Sequence, residues 1–467
     1  MYNYEILKIF LRERRRNMEH NKKYGLFTSI TMIIGIVIGS GIFFKADDVL
    51  TYTNGNVLLG VLIFCVAAIA IIFGSLSMSQ LATRTDNPGG IISYAEEFVN
   101  KETASAFGWF QVFLYLPSIT AVVSWVAGIY ICQLFNIQEG FFNPYTIGII
   151  VILICYLINT LSAKFGGYFQ NASMIIKLIP LILFAIFGLI KGEPSQVLAN
   201  DMESIKTAGI SLGILSAFGP IAFSFDGWII STSICHEIRN SKRNLPLALI
   251  ISPIVILLAY VLYFVGVSIF VGPQNVLELG DNSVNQMANT LFGSTGAKIM
   301  LIFVIISVLG TVNGVTLGMI RMPYSLAIRN MIPFSNSLKE QNNKLNGMPL
   351  NSAIFAFVVT LAWFALHYIT QEGISDNVGI LSGKGDVSEI AICISYLNYC
   401  VLYVVILKLA LKGEIKNKFM GYVVPIMAII GSLIILSGSF ANPLFIYYLI
   451  ICLIVMIAGY FYYKNIK

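Results

Sequence analysis

Long apolar runs with almost no charged residues follow one another along nearly the whole chain, and they constrain its fold more than any other feature. A transmembrane helix needs roughly 20 consecutive apolar residues, and most of these runs reach that length. Hydrophobic residues make up 57% of the chain and charged residues only 11%, whereas a soluble domain carries about 25% charged residues. The pattern predicts an all-α membrane protein with twelve transmembrane helices.

We number the predicted spans in chain order. Their approximate ranges are 24–52, 57–82, 105–134, 145–163, 165–190, 208–235, 246–271, 299–328, 350–370, 390–407, 420–439 and 442–463. The predicted organisation is a tail at 1–23, a first unit of five spans at 24–190, a second unit of five spans at 208–407, and two further spans at 420–463.

The positive charges predict the orientation of the chain. With the N-terminus in the cytosol, 23 of the 29 Lys and Arg residues fall on cytosolic segments and five on outer segments. Cytosolic loops of membrane proteins carry such an excess. We therefore expect a multi-pass protein of the cell membrane with both termini cytoplasmic, and we interpret the basic segment 1–23 as a cytosolic tail rather than a signal peptide.

Several other classes of function are not expected. The net charge of +6 is small and comes from loops that flank the membrane, so nucleic acid is not an expected partner. The seven cysteines lie almost entirely in apolar runs without CxxC spacing, and the three histidines are scattered. We therefore expect no disulfide framework, metal site or cofactor. No nucleophile–base arrangement indicates an enzyme.

Spans 1 and 6 contain residues that weaken a helix in the middle of the membrane. Span 1 carries GIVIGSGIF at 35–43, and span 6 carries GPIAFSFDGW at 219–228. Irregular backbone at this depth is tolerated where it lines a cavity, and its freed N–H and carbonyl groups suit a carboxylate and an ammonium. Matched breaks in the first span of each unit indicate inverted repeats with a zwitterion site between them. For Gly35 and Gly39 alone, a GxxxG helix-packing face is the alternative.

Lys177 lies deep in span 5. It is ~18–21 Å from either end of the span, which is farther than a lysine side chain reaches toward water. Its ammonium therefore needs internal partners or must lose its proton. We expect bonds to the first break at 35–38 and to Ser307 or Thr311 of span 8. A charged residue at this depth indicates function, and a purely structural lysine bonded to freed carbonyls is the alternative.

Other polar residues are candidates for the same cavity. Asp226 is predicted to cap the second half of span 6 rather than to touch the substrate directly. Ser307, Thr311 and Asn313 of span 8 are candidates to complete the cavity, although such residues also form bonds between membrane helices without any further role.

At these residues the chain resembles the amino acid–polyamine–organocation superfamily. It is most similar to the L-type amino acid transporter family and its bacterial serine/threonine or alanine-serine-cysteine exchangers. The motifs are specific as a set, and they occur in the family's order over about residues 22–467. They are GIVIGSGIF, NPGGIISYAEE at 87–97, KFGGYFQNASMIIKLIP at 164–180, FSFDGW followed by EIRNSKRNLP at 237–246, and GTVNG at 310–314 followed by RNMIP at 329–333.

The resemblance implies a 5+5 inverted-repeat fold in which spans 1, 2, 6 and 7 form a bundle against a scaffold. It implies transport of α-amino acids by alternating access. By position, the substrate carboxylate would meet Ser40 and Gly41, and the α-amino group would meet carbonyls of Val37, Phe223 and Asp226. Lys177 would take the place of the sodium ion used by sodium-coupled relatives of the fold. The implied substrate-binding residues are Val37, Ile38, Gly39, Ser40 and Gly41 in span 1 and Phe223, Ser224, Phe225 and Asp226 in span 6.

The predicted function is sodium-independent transport of small neutral L-amino acids such as alanine, serine, threonine or cysteine, with exchange as the mode. Phe223 and Phe225 add bulk beside the break and favour small side chains by steric exclusion. The expected partners are these amino acids and the lipid bilayer. The loop 136–144 has no cysteine, so no disulfide-linked heavy chain is expected. The alternatives are proton-coupled symport with Lys177 as the proton carrier, and an amino-acid-sensing receptor subunit on the same fold.

Overall fold

The computed structural model describes residues 25–466 except 40, 45, 86–89, 138–139, 210, 230–237, 281, 343–347, 373–386, 441 and 443. The regular elements in this part of the chain are helices, beside one isolated bridge between Asn342 and Met348. Nine of the described helices are long and apolar enough to cross a membrane. They are Val57–Ala82, Lys101–Phe135, Pro144–Leu161, Ser241–Val271, Asn282–Ala327, Leu350–Gln371, Val387–Leu411, Phe419–Ser437 and Phe445–Ile466.

These nine helices correspond to predicted spans 2–4 and 7–12 and keep those numbers. Span 8 is the part of its helix after Gly293, where a φ of 69° interrupts the helical backbone. Span 5 is the helix Ala163–Lys191, and the chain then bends by 86° into the helix Pro194–Ala208. The segment 191–207, which lies between predicted spans 5 and 6, is therefore largely helical. The all-helical membrane class is confirmed, whereas the count of twelve spans and the repeat symmetry stay predictions.

Spans 1 and 6 are divided into short helices. In span 6 the helix begins just before Gly219 and Pro220, since proline is compatible with the first turn of a helix. The interruption comes later, at the turn 225–227, where Gly227 has a φ of 95°. The pieces are Leu26–Val37, Gly41–Phe44 and Ala46–Tyr52 in span 1, and a 3₁₀ segment Leu212–Ala217 followed by Phe218–Ser224 in span 6.

Intact helices surround the broken spans. Span 7 packs against spans 2 and 5 and against the first helix of span 1, while span 8 packs against spans 3, 4, 5 and 9. The helix Phe218–Ser224 packs against spans 2, 10 and 11 and against the second and third helices of span 1. Because one continuous apolar core connects these helices, the irregular backbone of both breaks is enclosed by protein, as it must be at membrane depth.

Two connections are held by specific polar contacts, and the first involves the helix Ile91–Phe98 between spans 2 and 3. Arg329, at the end of span 8, donates from Nε to Glu96 at 2.9 Å and from Nη2 to Ser93 at 3.1 Å. Trp109 Nε1 donates to the carbonyl of Met331 at 2.8 Å. The motifs NPGGIISYAEE and RNMIP, which are far apart in the sequence, therefore meet in space.

The second connection is the helix Pro194–Ala208, which contacts the start of span 2. Asn56 caps span 2 by accepting the N–H of Leu59 at 2.9 Å. The carboxylate of Asp201 accepts the N–H of Leu58, in the same first turn, at 2.8 Å. The main-chain carbonyl of Asp201 accepts from Asn56 Nδ2 at 3.0 Å. The first turn of span 2 is thus capped from its own sequence and from the connecting helix.

Candidate functional site

The two breaks contact each other directly. Gly41 begins the second helix of span 1, and a Cβ on Gly41 would lie 2.6 Å from the Cα of Ser224. Backbone cannot move aside as the end of a flexible side chain can, so this approach requires glycine. A Cβ on Gly39 would lie 2.5 Å from Thr311 Oγ1 of span 8. The first break is therefore in close contact with both span 6 and span 8.

Extended backbone separates the first two helices of span 1. Ile38 has φ −67° and ψ 106°, and its N–H donates to the carbonyl of Ile34 at 2.8 Å. Val37 and Ile38 are both buried. Ser40, which we predicted to meet the substrate carboxylate, lies outside the described residues.

Tyr260 of span 7 connects the ends of the two breaks. Its hydroxyl lies 3.2 Å from the carbonyl of Val37 and 2.8 Å from that of Ser224. Both carbonyls are at C-terminal ends of short helices, where intrahelical partners run out. Our sequence reasoning missed Tyr260. Its position in the middle of an apolar span was the available signal, because a buried tyrosine hydroxyl needs a partner.

Lys177 is buried and contacts the first break. Its Nζ donates to the carbonyl of Gly35 at 2.6 Å. The expected bond to span 8 is absent among the described residues. The hydroxyl of Ser307 has no hydrogen-bond partner there, and the hydroxyl of Thr311 donates to the Ser307 carbonyl at 3.3 Å. The lysine thus links span 5 to span 1, without the predicted third helix.

Asn313 contacts span 4. Its Oδ1 accepts from Asn159 Nδ2 at 2.8 Å, and both side chains are buried. This contact is a bond between two intact helices, which is the alternative that we kept for the polar residues of span 8.

The carboxylate of Asp226 is bonded to span 3. The hydroxyl of Tyr115 lies 2.6 Å from one carboxylate oxygen and 2.7 Å from the other, and the backbone N–H of Gly227 lies near the carboxylate. Our sequence reasoning missed Tyr115 as well. The second half of span 6, which Asp226 is predicted to cap, lies mostly in 230–237, outside the described residues, and the capping stays a prediction.

The two phenylalanines beside the second break have different neighbours. A Cβ on Gly41 would lie 3.1 Å from Phe223 Cδ1, so Phe223 is next to the facing break. The ring of Phe225 instead packs against Tyr260 and Phe64, with centroids 5.1 Å and 6.4 Å away. Phe225 therefore contributes to packing among spans 2, 6 and 7, and Phe223 is the aromatic residue positioned to limit the space between the breaks.

The facing breaks bring backbone groups of opposite polarity together. The helix that ends at Val37 and the helix that ends at Ser224 present carbonyls, and the helix that starts at Gly41 presents N–H groups. An amino acid zwitterion has the complementary pair of charges. Within the described part of the chain, no group of three or more His, Cys, Asp or Glu side chains is placed to hold a metal ion.

Comparison with known proteins also indicates an amino acid as the ligand. A family model described as amino acid permease matches residues 24–459. The serine/threonine exchanger SteT of Bacillus subtilis (strain 168) is 28% identical over 422 residues, which cover 90% of this chain and 91% of the relative. The human b(0,+)-type amino acid transporter 1 is 29% identical over 304 residues, or 63% of this chain and 60% of the relative. The human cystine/glutamate transporter is 27% identical over 328 residues, or 68% and 64%. Each human match spans less than two thirds of the relative's length.

Proposed function

Because the chain belongs to the amino acid permease family, we propose that it is a sodium-independent exchanger of small neutral L-amino acids that works by alternating access. The observation that carries this proposal is the contact between Gly41 and Ser224, which brings two broken helices together at membrane depth. The similarity to a serine/threonine exchanger over 90% of the chain supports exchange as the mode.

In this proposal the substrate is held by its main-chain groups. The carboxylate binds the N–H groups around Ser40 and Gly41, where the second helix of span 1 begins. The α-amino group binds the carbonyls of Val37, Phe223 and Asp226. Since these contacts involve groups that all α-amino acids share, discrimination among substrates falls to the side chains around the breaks, and Phe223 favours small substrates by limiting the space.

Lys177 makes sodium unnecessary in this proposal. Its Nζ donates to the Gly35 carbonyl and so places a hydrogen-bond donor between span 5 and the first break. A bound cation would otherwise be needed to satisfy freed carbonyls of the break. The lysine holds the bundle against the scaffold in the occluded state, and its own charge does not travel with the substrate.

We place the protein in the cell membrane with both termini in the cytoplasm, on the distribution of Lys and Arg residues. We expect it to act without a disulfide-linked heavy chain, because the loop 136–144 lacks a cysteine.

Transport by the purified protein in proteoliposomes tests the function. Internal serine is expected to accelerate uptake of external labelled serine, and replacing sodium by potassium should leave the rate unchanged. Alanine, threonine and cysteine should compete better than tryptophan. A requirement for sodium would contradict the proposal. Uptake into empty liposomes that follows an imposed pH gradient would favour proton symport, and tryptophan as the best competitor would reverse the size preference.

A further inference from the structure

We propose that Tyr115 determines the selectivity for neutral substrates by occupying the carboxylate of Asp226, which would otherwise accept a cationic side chain. This inference rests on the proposed function. It concerns a residue of span 3 that lies outside the two breaks and acts on the substrate only through another side chain, so Tyr115 is a positioning residue.

The Tyr115 hydroxyl contacts both oxygens of the Asp226 carboxylate. The Tyr115 hydroxyl is almost equidistant from the two carboxylate oxygens, at 2.6 Å and 2.7 Å. It therefore covers both oxygens rather than one. A phenol O–H donating to a carboxylate is a charge-assisted hydrogen bond, which is stronger than one between neutral groups.

The surroundings of the carboxylate are also uncharged. Besides Tyr115 and the backbone of Gly227, the groups that interact electrostatically with Asp226 in the described part of the chain are the side chains of Tyr396, Tyr399 and Cys393 of span 10. None of them is a cation. A buried carboxylate without a positive partner is costly unless it is hydrogen-bonded. Tyr115 supplies the only side-chain hydrogen bond to Asp226 among these residues.

Span 3 holds Tyr115 in place. The segment Gln111–Tyr115 is a π-helical turn, and such turns within α-helices are frequent at functional sites. The carbonyl of Phe113 within this turn accepts from Trp363 Nε1 of span 9 at 2.6 Å. The turn is thus held by a partner from another helix, and it keeps the Tyr115 hydroxyl on Asp226.

Asp226 belongs to the break whose carbonyls are proposed to hold the α-amino group. In this proposal its carboxylate is within reach of a long side chain from a bound amino acid. While Tyr115 covers the carboxylate, lysine or arginine would have to break a buried charge-assisted bond to use it. A neutral side chain can bind without breaking the bond between Tyr115 and Asp226, so the arrangement discriminates between substrates by charge.

Competition by L-lysine against labelled serine uptake tests this inference. The variant Tyr115→Phe keeps the ring and removes the hydroxyl. In this variant, the lysine concentration that gives half-inhibition should be at most about one tenth of the wild-type value. The double variant Tyr115→Phe/Asp226→Asn should lose this gain. Tyr156→Phe removes a comparable buried hydroxyl, which contacts Thr360 at 2.8 Å between spans 4 and 9, and should keep the wild-type selectivity.

Direct binding keeps the test independent of transport rate. Lysine should raise the melting temperature of detergent-solubilised Tyr115→Phe, or of Tyr115→Leu if the first variant does not fold, and should leave the wild type unchanged. A Tyr115→Phe variant that transports serine without gaining lysine would overturn the inference and leave the proposed function intact. A gain that persists in the double variant, or a wild type that already takes lysine as well as serine, would also overturn it. A wild type that binds no amino acid would refute the proposed function and, with it, this inference.

Discussion

At the scale of single residues, the contact between Gly41 and Ser224 sets the distance between the two breaks. We predict that Gly41→Ala greatly weakens serine binding, because the added Cβ would lie 2.6 Å from the Ser224 Cα and would push the broken helices apart. Isothermal titration or a ligand-induced thermal shift would measure the loss.

Gly318→Ala is the matched control for this prediction. A Cβ at Gly318 meets nothing within 4 Å, and alanine is favoured over glycine in a helix interior by roughly 0.5–1 kcal/mol. This variant should bind serine normally and be at least as stable as the wild type. Normal serine affinity in Gly41→Ala would show that the contact does not constrain the site.

Lys177 is the second residue whose role follows from one contact. We predict that Lys177→Ala folds and binds amino acid weakly but transports at a small fraction of the wild-type rate, without acquiring sodium dependence. The Gly35 carbonyl would lose its donor at a cost of about 1–3 kcal/mol, and span 1 would lose its bond to span 5. Binding and proteoliposome uptake, measured on the same preparation, separate the two effects.

Lys191→Ala, at the exposed end of the same helix, should transport normally. Unimpaired transport by Lys177→Ala would refute the coupling role. Should uptake follow an imposed pH gradient and stop in Lys177→Arg, Lys177 would be a proton carrier and the symport alternative would hold.

At the scale of elements, the helix Pro194–Ala208 takes part in capping span 2 through Asp201. Burial raises the pKa of this carboxyl, and the N–H groups of Leu58 and Val57 offset part of that effect by lowering it. Because the pKa in the folded protein lies above the ordinary value of about 3.9, the stability that Asp201 contributes is fully present below that value. It is lost as the pH rises through the raised pKa.

We therefore predict a pH-dependent difference between two substitutions. Asp201→Asn keeps an acceptor for the Leu58 N–H without the charge, so its melting temperature should rise relative to the wild type as the pH increases above about 4. Asp201→Ala has no acceptor and should melt below Asp201→Asn at every pH. Glu203→Gln, exposed on the same helix, is the control. Parallel pH profiles for wild type and Asp201→Asn would contradict the prediction.

At the scale of the whole molecule, intact helices are joined by a few long-range polar contacts. Tyr260 joins both breaks to span 7, Lys177 joins span 1 to span 5, and Tyr115 joins span 6 to span 3. In the alternating-access proposal, these contacts lie where the bundle meets the scaffold or where the broken helices meet span 7 within the bundle. They are therefore the places where a bound substrate can shift the balance between conformations.

The orientation of the molecule is also testable. We predict that a cysteine introduced at Phe141, which is 78% exposed between spans 3 and 4, reacts with a membrane-impermeant maleimide on intact cells. A cysteine at Lys412, exposed between spans 10 and 11, should react only after the cells are permeabilised. The parent chain measures the background from its own cysteines. Labelling in the reverse pattern would invert the topology derived from the positive charges.

Local properties of the chain were enough to predict the membrane class, the position of most spans and the location of both breaks. The length of an apolar run and the presence of glycine in mid-membrane can be read without knowing what lies opposite. The same reasoning placed the whole segment 219–228 in the break, although the helix of span 6 begins at Phe218 and is interrupted only after Ser224. It also predicted no helix in the segment 191–207, where the polar helix Pro194–Ala208 forms.

Only the tertiary structure decided which side chains meet. Tyr115 and Asp226 are 111 positions apart, and Arg329 and Glu96 are 233 apart. Such contacts depend on how each helix is rotated about its axis and which helices are neighbours, and an apolar span shows neither. The chain therefore determined by itself that irregular backbone and a buried lysine need partners, since unsatisfied polar groups are costly in hydrocarbon. The packing of the helices determined that those partners are the Gly35 carbonyl for Lys177, Tyr260 for the helix ends, and Tyr115 for Asp226.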